Sequence, residues 1–307
     1  MKDLKTKTNT TRLITILGPT ASGKTALGVT LAKILDGEII SADSRQVYQG
    51  MTIGTGKDLD EYGATPYHLI DIVKAGYEYN LFEFADDFSK ALTTIQHREK
   101  QALLVGGTGL YLDAVLNAYT LYRADFKSKR ADALQSLSML QLRNCLLALK
   151  PDQHNSTDLE AKERIIRAIL IEETNQAQLN QIHWPTVNHC VIGLQYPREI
   201  TRQRITQRLK HRLKAGMIEE VDTLLNQGVS PQQLQLYGLE YRFLTQHIQG
   251  QLSYNDMYQK LNSAIHQFAK QQEKWFRNIE KKGVKIHWLD VERDIKEQAL
   301  SIIEHTN

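Results

Sequence analysis

Cysteine is nearly absent from this chain. There are two in 307 residues, Cys145 and Cys190, and neither belongs to a CxxC pair. That excludes a disulfide-stapled scaffold and a cysteine-held structural zinc, and buried free thiols are the expected reading of both. Long apolar runs are also missing, so no stretch reaches the roughly 20 residues that a membrane span needs. The opening MKDLKTKTNTTR is polar and has no hydrophobic stretch of the secretory kind. A reducing cytoplasm is the compartment that fits these absences. An excess of one charge is missing too. The chain holds 38 basic and 35 acidic residues, net +3, split 18 to 16 over residues 1–150 and 20 to 19 over 151–307. A uniform basic coat is excluded; a local basic stripe is not.

What is present is an ordinary globular mixture, 41% hydrophobic and 24% charged, with length for about two domains. RLITIL at Arg12–Leu17 is short and β-branched and predicts a buried strand. A glycine loop follows, then a helix over about Lys24–Leu35. Glu38–Ser41 predicts a second strand, His68–Ile72 (HLIDI) a third, Leu81–His97 a helix and Ala102–Val105 a fourth strand. This alternation implies a parallel sheet with helices on both faces. Residues 123–186 turn polar and helix-prone, with Leu134, Leu137, Leu140 and Leu142 at roughly helical spacing and a second apolar set at Ile165, Ile166, Ile169 and Leu170. They predict a small helical insertion. It divides a catalytic core of residues 1–122 and 187–307, in which strand character returns at His189–Leu194 and last at Lys285–Leu289.

The loop GPTASGKT at Gly18–Thr25 fits G-x-x-x-x-G-K-[ST] between a predicted strand and a predicted helix. Glycines let backbone N–H groups approach phosphate oxygens, and the helix N-terminus adds positive potential. Gly18, Thr20, Ala21, Ser22, Gly23, Lys24 and Thr25 are therefore candidate diphosphate ligands. Lys24 can reach terminal phosphates, and the Thr25 hydroxyl can ligate Mg²⁺. Asp43, just past the second strand, would face the same crevice as a general base; capping the next turn is an even alternative. Asp71 at the end of HLIDI has the look of a Walker-B ligand, but its apolar run is short and a structural role is favoured. GGTG at Gly106–Gly109 is either a plain strand-to-helix turn or a second crevice loop that carries Thr108.

Basic residues concentrate in Gln195–Ala215, which holds seven Lys or Arg and one acid, Glu199. Ile205, Leu209 and Leu213 form an apolar stripe on this stretch, and Arg204, Arg208 and Arg212 a basic one beside it. The scarcity of acids favours anion binding over a solvated face. Lys270, Lys274, Arg277 and Lys281 make a second basic series. They share a helix whose apolar face is expected to be Met257, Leu261, Ile265, Phe268 and Trp275.

With these residues in view, the sequence resembles the tRNA dimethylallyltransferases (isopentenyltransferases). The resemblance rests on GPTASGKT at 18–25, ISADSRQVYQGMTIGTGK at 40–57, YHLIDI at 67–72 and LLVGGTGLYLDAVL at 103–116. Further support comes from RITQRLKHRLKAGMIEEV at 204–221, AKQQEKWFR at 269–277 and HWLD at 287–290. It implies an α/β fold, a P-loop NTPase-like parallel sheet flanked by helices. It also implies Mg²⁺-dependent transfer of a dimethylallyl group from dimethylallyl diphosphate to the N6 amine of the adenosine next to the tRNA anticodon. By matching motifs, Ser22–Thr25 would hold the diphosphate, Thr25 the magnesium, and Asp43 the adenine amine as general base. Lys24 and Arg208 would assist departure of the diphosphate. Asp43, Ser44, Arg45, Gln46 and Thr108 would meet the tRNA, whose anticodon stem-loop would be gripped with help from Arg164, Arg167 and Lys270.

The chain departs from the family pattern in places. The insertion is shortened, with only HNSTDLEAKERIIRAIL at 154–170 where a His-Pro-Asn-Asp stretch and an Arg-rich helix are usual. YGLEYR at 237–242 stands for Gly-Tyr-Lys/Arg, and AKQQ at 269–272 for Ala-Lys-Arg-Gln. The alternatives are an adenylate isopentenyltransferase acting on free nucleotide, a P-loop small-molecule kinase, or an RNA-binding protein with a vestigial loop. A monomer without membrane attachment is expected.

Overall fold

The structure is a computed structural model, and it describes residues 11–151, 161–178 and 181–306. The first seven residues of the 154–170 stretch lie outside the described residues. The chain divides into two compact units, residues 1–118 with 185–307, and Tyr119–Trp184.

In the first unit a six-stranded sheet, parallel throughout, runs in the order β3-β2-β4-β1-β5-β6. Its strands are β1 (Thr11–Leu17), β2 (Gly37–Ala42), β3 (Tyr67–His68), β4 (Gln101–Gly106), β5 (Val187–Leu194) and β6 (Ile286–Leu289). The inner strands are apolar runs because helices cover them on both faces; Leu13, Ile14, Ile39, Ile40, Leu103 and Leu104 are all fully buried. Three helices belong to the alternating part: α1 (Lys24–Ile34), α2 (Leu81–His97) and α3 (Gly109–Leu116). α2 starts where NLFE provides a capping box, Asn80 accepting from Glu83 N and the Glu83 carboxylate accepting from Asn80 N.

The HLIDI strand is a correction. β3 stops at His68, because Leu69 and Asp71 both have left-handed backbones (φ 63° and 57°). The segment instead lies along the loop after β2, with Asp71 N–H bonded to Gln46 O and Ile72 N–H to Val47 O. Asp71 bears no metal-ligand geometry; its carboxylate pairs with Lys57 Nζ at 2.5 Å.

The Tyr119–Trp184 unit is helical: α4 (Lys129–Gln135), α5 (Met139–Leu149) and α6 (Lys162–Ala177). Leu134, Leu142, Leu146, Ile165, Ile166 and Ile169 form its core. The leucine series of the sequence splits here. Ser138 caps α5 with Gln141 in a capping box, which ends any continuous helix, and Leu140 is left 67% exposed.

After β5 come α7 (Arg198–Lys214), α8 (Met217–Asn226), α9 (Pro231–Leu234), α10 (Leu239–Ile248) and the long α11 (Tyr254–Lys281). They share a second core with the loop after β2, in which Val47, Met51, Ile205, Leu209, Tyr241 and Leu261 are buried. A helix not foreseen in the sequence, α12 (Ile295–His305), follows β6. Asp294 caps it, and Ala299 and Ile303 are buried against the sheet core. Among the described residues no helix is long and apolar enough to cross a membrane.

Candidate active site

The carboxyl ends of β1, β2 and β4 open onto one crevice of about 1070 Å³, walled on its other side by α7, α10 and α11. Ligands in open α/β sheets bind at such strand ends. The glycine loop leaves β1 and turns through left-handed conformations at Ala21 (φ 62°) and Gly23 (φ 84°) before α1 begins at Lys24. The first amides of α1 have no carbonyl behind them in the helix and are directed to the loop. Thr20, Ala21, Gly23, Lys24 and Thr25 line the crevice; Gly18 and Ser22 are buried behind it and shape the loop. Burial and, second, the positive charge of Arg208 push the Lys24 ammonium down to about 8. Asp43 and Asp58 act in the opposite direction, and the net result favours a negative ligand beside Lys24.

Thr25 lines the crevice and carries a hydroxyl of the kind that Mg²⁺ would take beside phosphate oxygens and its own waters. Among the described residues no cluster of three His, Cys, Asp or Glu could hold a metal by itself. The donor set on offer, a hydroxyl beside an anion loop, fits magnesium in that mode.

Asp43 sits where both readings of the sequence put it, at the crevice and in a turn. It lines the crevice, and its Oδ1 accepts the Arg45 N–H at 2.9 Å. That turn contact fixes the carboxylate at the lip of β2. Thr108 Oγ1 accepts the Ser44 N–H at 3.0 Å, which ties this loop to the GGTG turn. Arg45 donates from Nη1 to Leu236 O at 2.9 Å. Gln46 is turned inward. It is buried, its Oε1 accepting from Ser41 Oγ at 2.9 Å and its Nε2 donating to Gly56 O at 3.0 Å.

The GGTG turn is more than a bland connection. A side chain at Gly107 would collide with Gln272 Nε2 (2.5 Å), and one at Gly109 with the Trp275 ring (2.4 Å). These glycines admit α11 to the strand ends. Gln272, buried, then bridges the two loops: its Oε1 accepts the Thr20 N–H at 2.8 Å and its Nε2 donates to Gly107 O at 2.7 Å. Sequence reasoning passed over Gln272, although it falls on the buried face of α11 in line with Leu261, Ile265 and Ala269. Phe268 and Trp275, expected in the apolar face of that helix, are instead 42% and 37% exposed and line the crevice.

On α7 the basic stripe does enter the crevice. Arg204 donates from Nε to Ala21 O at 2.8 Å and stacks over Tyr196. Arg208 reaches Thr20 Oγ1 at 3.4 Å and Asp58 Oδ2 at 2.8 Å. Arg212 is nearly buried, and burial followed by the Arg208 charge lowers it to about 10. Glu240 at the start of α10 also lines the crevice, and burial raises its carboxyl above the usual 4.5.

The second basic series is different. Lys270, Lys274, Arg277 and Lys281 are exposed and none lines the crevice. Arg164 and Arg167 lie on α6 in the helical unit; Arg164 is exposed and Arg167 stands over the Phe126 ring at 5.1 Å.

Known proteins point the same way. The family described as IPP transferase matches residues 46–279, and the one described as isopentenyl transferase matches residues 11–70. The chain is 55% identical over 283 residues to "tRNA dimethylallyltransferase 2" of Syntrophotalea carbinolica, covering 92% of this chain and 95% of that protein. It is 50% identical over 292 residues to "tRNA dimethylallyltransferase 2" of Shewanella sediminis, covering 95% and 97%. Among solved structures, the tRNA isopentenylpyrophosphate transferase of Bacillus halodurans superposes with a TM-score of 0.69 at 31% identity, over 95% of this chain and 94% of that one. A eukaryotic dimethylallyltransferase acting on tRNA shares the fold, with a TM-score of 0.76 at 24% identity over 94% of this chain and 77% of that one.

Proposed function

This chain belongs to the IPP transferase family, and on that premise we propose that it transfers a dimethylallyl group from dimethylallyl diphosphate to the N6 amine of the adenosine next to the anticodon in tRNA. The observation that carries this reading is a single crevice lined by the phosphate loop, Asp43 and Arg208. The phosphate loop suits the diphosphate. The bond from the allylic carbon to its bridging oxygen breaks, and the oxygen keeps the electron pair. Lys24, Arg208 and the first amides of α1 stabilise the charge that grows on it, as donors aimed at a developing anion do. Magnesium, held through the Thr25 hydroxyl, supplies further neutralisation of that leaving group when bound.

The same carbon forms its new bond to N6 of adenine. An exocyclic amine is a weak nucleophile, and Asp43 takes its proton as that bond forms. A base stacked in its helix cannot bring its amine to a carboxylate on a crevice wall, so the adenosine must be extruded into the crevice. Phe268 and Trp275 offer exposed faces to bases there.

One assay tests the reading: purified protein, Mg²⁺, labelled dimethylallyl diphosphate, and either unmodified tRNA or AMP. Label in tRNA is expected. Label in AMP alone would turn the reading to an adenylate isopentenyltransferase. Phosphotransfer from ATP without prenyl transfer would turn it to a P-loop kinase.

A further inference from the structure

The crevice contains an ion-pair arrangement in which a loop carboxylate governs the arginine above the phosphate loop. Arg208 has a long, flexible side chain, 31% exposed, and reaches Thr20 from α7 at 3.4 Å. Its other amino group is held by Asp58 Oδ2 at 2.8 Å, and the same oxygen lies 3.6 Å from Arg212 Nη2. That Arg212 nitrogen is buried and has no hydrogen-bond partner. One carboxylate thus faces two guanidinium groups, and the trio keeps a positive charge toward the loop.

Asp58 is itself presented rigidly. The loop that carries it is fastened by Glu220, whose carboxylate accepts the N–H groups of Thr52, Ile53 and Gly54 at 2.7–2.9 Å. It is fastened again by the wholly buried Lys57, whose ammonium donates to Tyr48 O (2.6 Å) and Asp71 Oδ1 (2.5 Å). Between these anchors Gly56 has φ 64°, and a side chain there would lie 1.4 Å from Arg212 Nη2. Only glycine lets Arg212 cross the loop. The next residue but one, Asp58, is left-handed (φ 47°) and turns its carboxylate to α7.

We propose that Asp58 is a positioning residue for prenyl transfer: it holds Arg208 in the orientation that meets the departing diphosphate, and buried Arg212 keeps Asp58 in place. The proposal rests on the transferase reading above. It differs from the simplest electrostatic expectation. If Asp58 only competed with diphosphate for Arg208, its removal would tighten substrate binding and leave turnover unchanged or higher. As a positioning residue, its removal leaves anion binding as strong or stronger while turnover falls, since an angstrom of misplacement costs up to about 10²-fold in rate.

The test is a double-mutant cycle on full-length protein with Asp58→Asn, Arg208→Ala and the pair. Asparagine tolerates the left-handed backbone, and melting temperatures check that each variant folds. Expected are a fall in kcat of about tenfold for Asp58→Asn and about 10²-fold for Arg208→Ala, with no further loss in the double variant. Inorganic pyrophosphate, titrated by calorimetry, should bind Asp58→Asn at least as tightly as wild type. Multiplicative losses in the double variant, or unchanged or raised kcat in Asp58→Asn, would overturn the proposal. A wild-type protein that binds pyrophosphate but prenylates no tRNA would instead fault the transferase reading.

Discussion

The strand-end wall of the crevice and its helical wall are made by different means. On the strand-end side the chemistry comes from short segments, residues 18–25, 43–46 and 106–109, positioned by local turns, left-handed at Ala21 and Gly23 in the first of them. On the helical side, long side chains from α7, α10 and α11 cross open space to reach the loops: Arg204 to Ala21, Arg208 to Thr20, Gln272 to both Thr20 and Gly107. The first wall has its chemistry within about a hundred residues of chain. The second places it by packing alone. A local loop therefore depends on distant helices to close the site.

The sharpest test of the first wall is Asp43→Ala. A general base is worth about 10²–10⁴ in rate. Turnover into tRNA is expected to fall by that order, with pyrophosphate affinity kept or raised, because the Asp43 carboxylate acts electrostatically on Lys24 and opposes an anion there. Near-normal turnover would remove the general-base role and leave Asp43 as a turn cap alone.

Next is the bridge between the walls. Gln272→Leu keeps the volume and deletes both hydrogen bonds, which leaves the Thr20 N–H and the Gly107 carbonyl unpaired. Each unsatisfied buried group costs about 1–3 kcal/mol. A lower melting temperature is expected together with weaker pyrophosphate binding, since Thr20 belongs to the loop that holds it. Lost stability with unchanged affinity would mean that the loop holds its shape without the helix.

This contrast also explains what could be read from the chain. The strand–loop–helix order, GPTASGKT and the place of Asp43 are contiguous, and their periodicity and turn chemistry are local. The HLIDI segment misled because three apolar residues fit a strand as well as a buried loop. What decides is the pairing of Asp71 with Lys57, fourteen residues away. Phe268 and Trp275 misled similarly, since helical spacing gives a face but not what covers it. Gln272 was missed because a lone glutamine on an apolar stripe has no signature until the two loops it joins are known. α12 follows a polar turn and packs onto a core that β1 and α1 define far upstream.

The helical wall bears an electrostatic cost, which Glu240 exposes. Burial raises its carboxyl above 4.5, so the folded state binds its proton more tightly than the unfolded chain does. The charged form is then a burden at neutral pH that is relieved as pH falls through the folded value. Glu240→Gln should melt higher than wild type at pH 7, and the gain should shrink as pH is lowered toward that value. A lower melting temperature at pH 7 would mean that pairing with Arg212 outweighs the burial cost.

The smallest effect is expected at Lys270, two residues from Gln272 on the same helix but on its outer, exposed face. Exposed lysines that neutralise a phosphate contribute a salt-dependent, sequence-independent share of affinity. For Lys270→Ala the dependence of tRNA affinity on salt should become shallower by about one phosphate contact. Affinity should fall only at low salt, and kcat at saturating tRNA should not change, because the side chain does not enter the crevice. Equal salt slopes for the two proteins would take the outer face of α11 out of the RNA surface. The helical wall would then act on tRNA from its inner side alone, through the arginines of α7 and the exposed rings of Phe268 and Trp275.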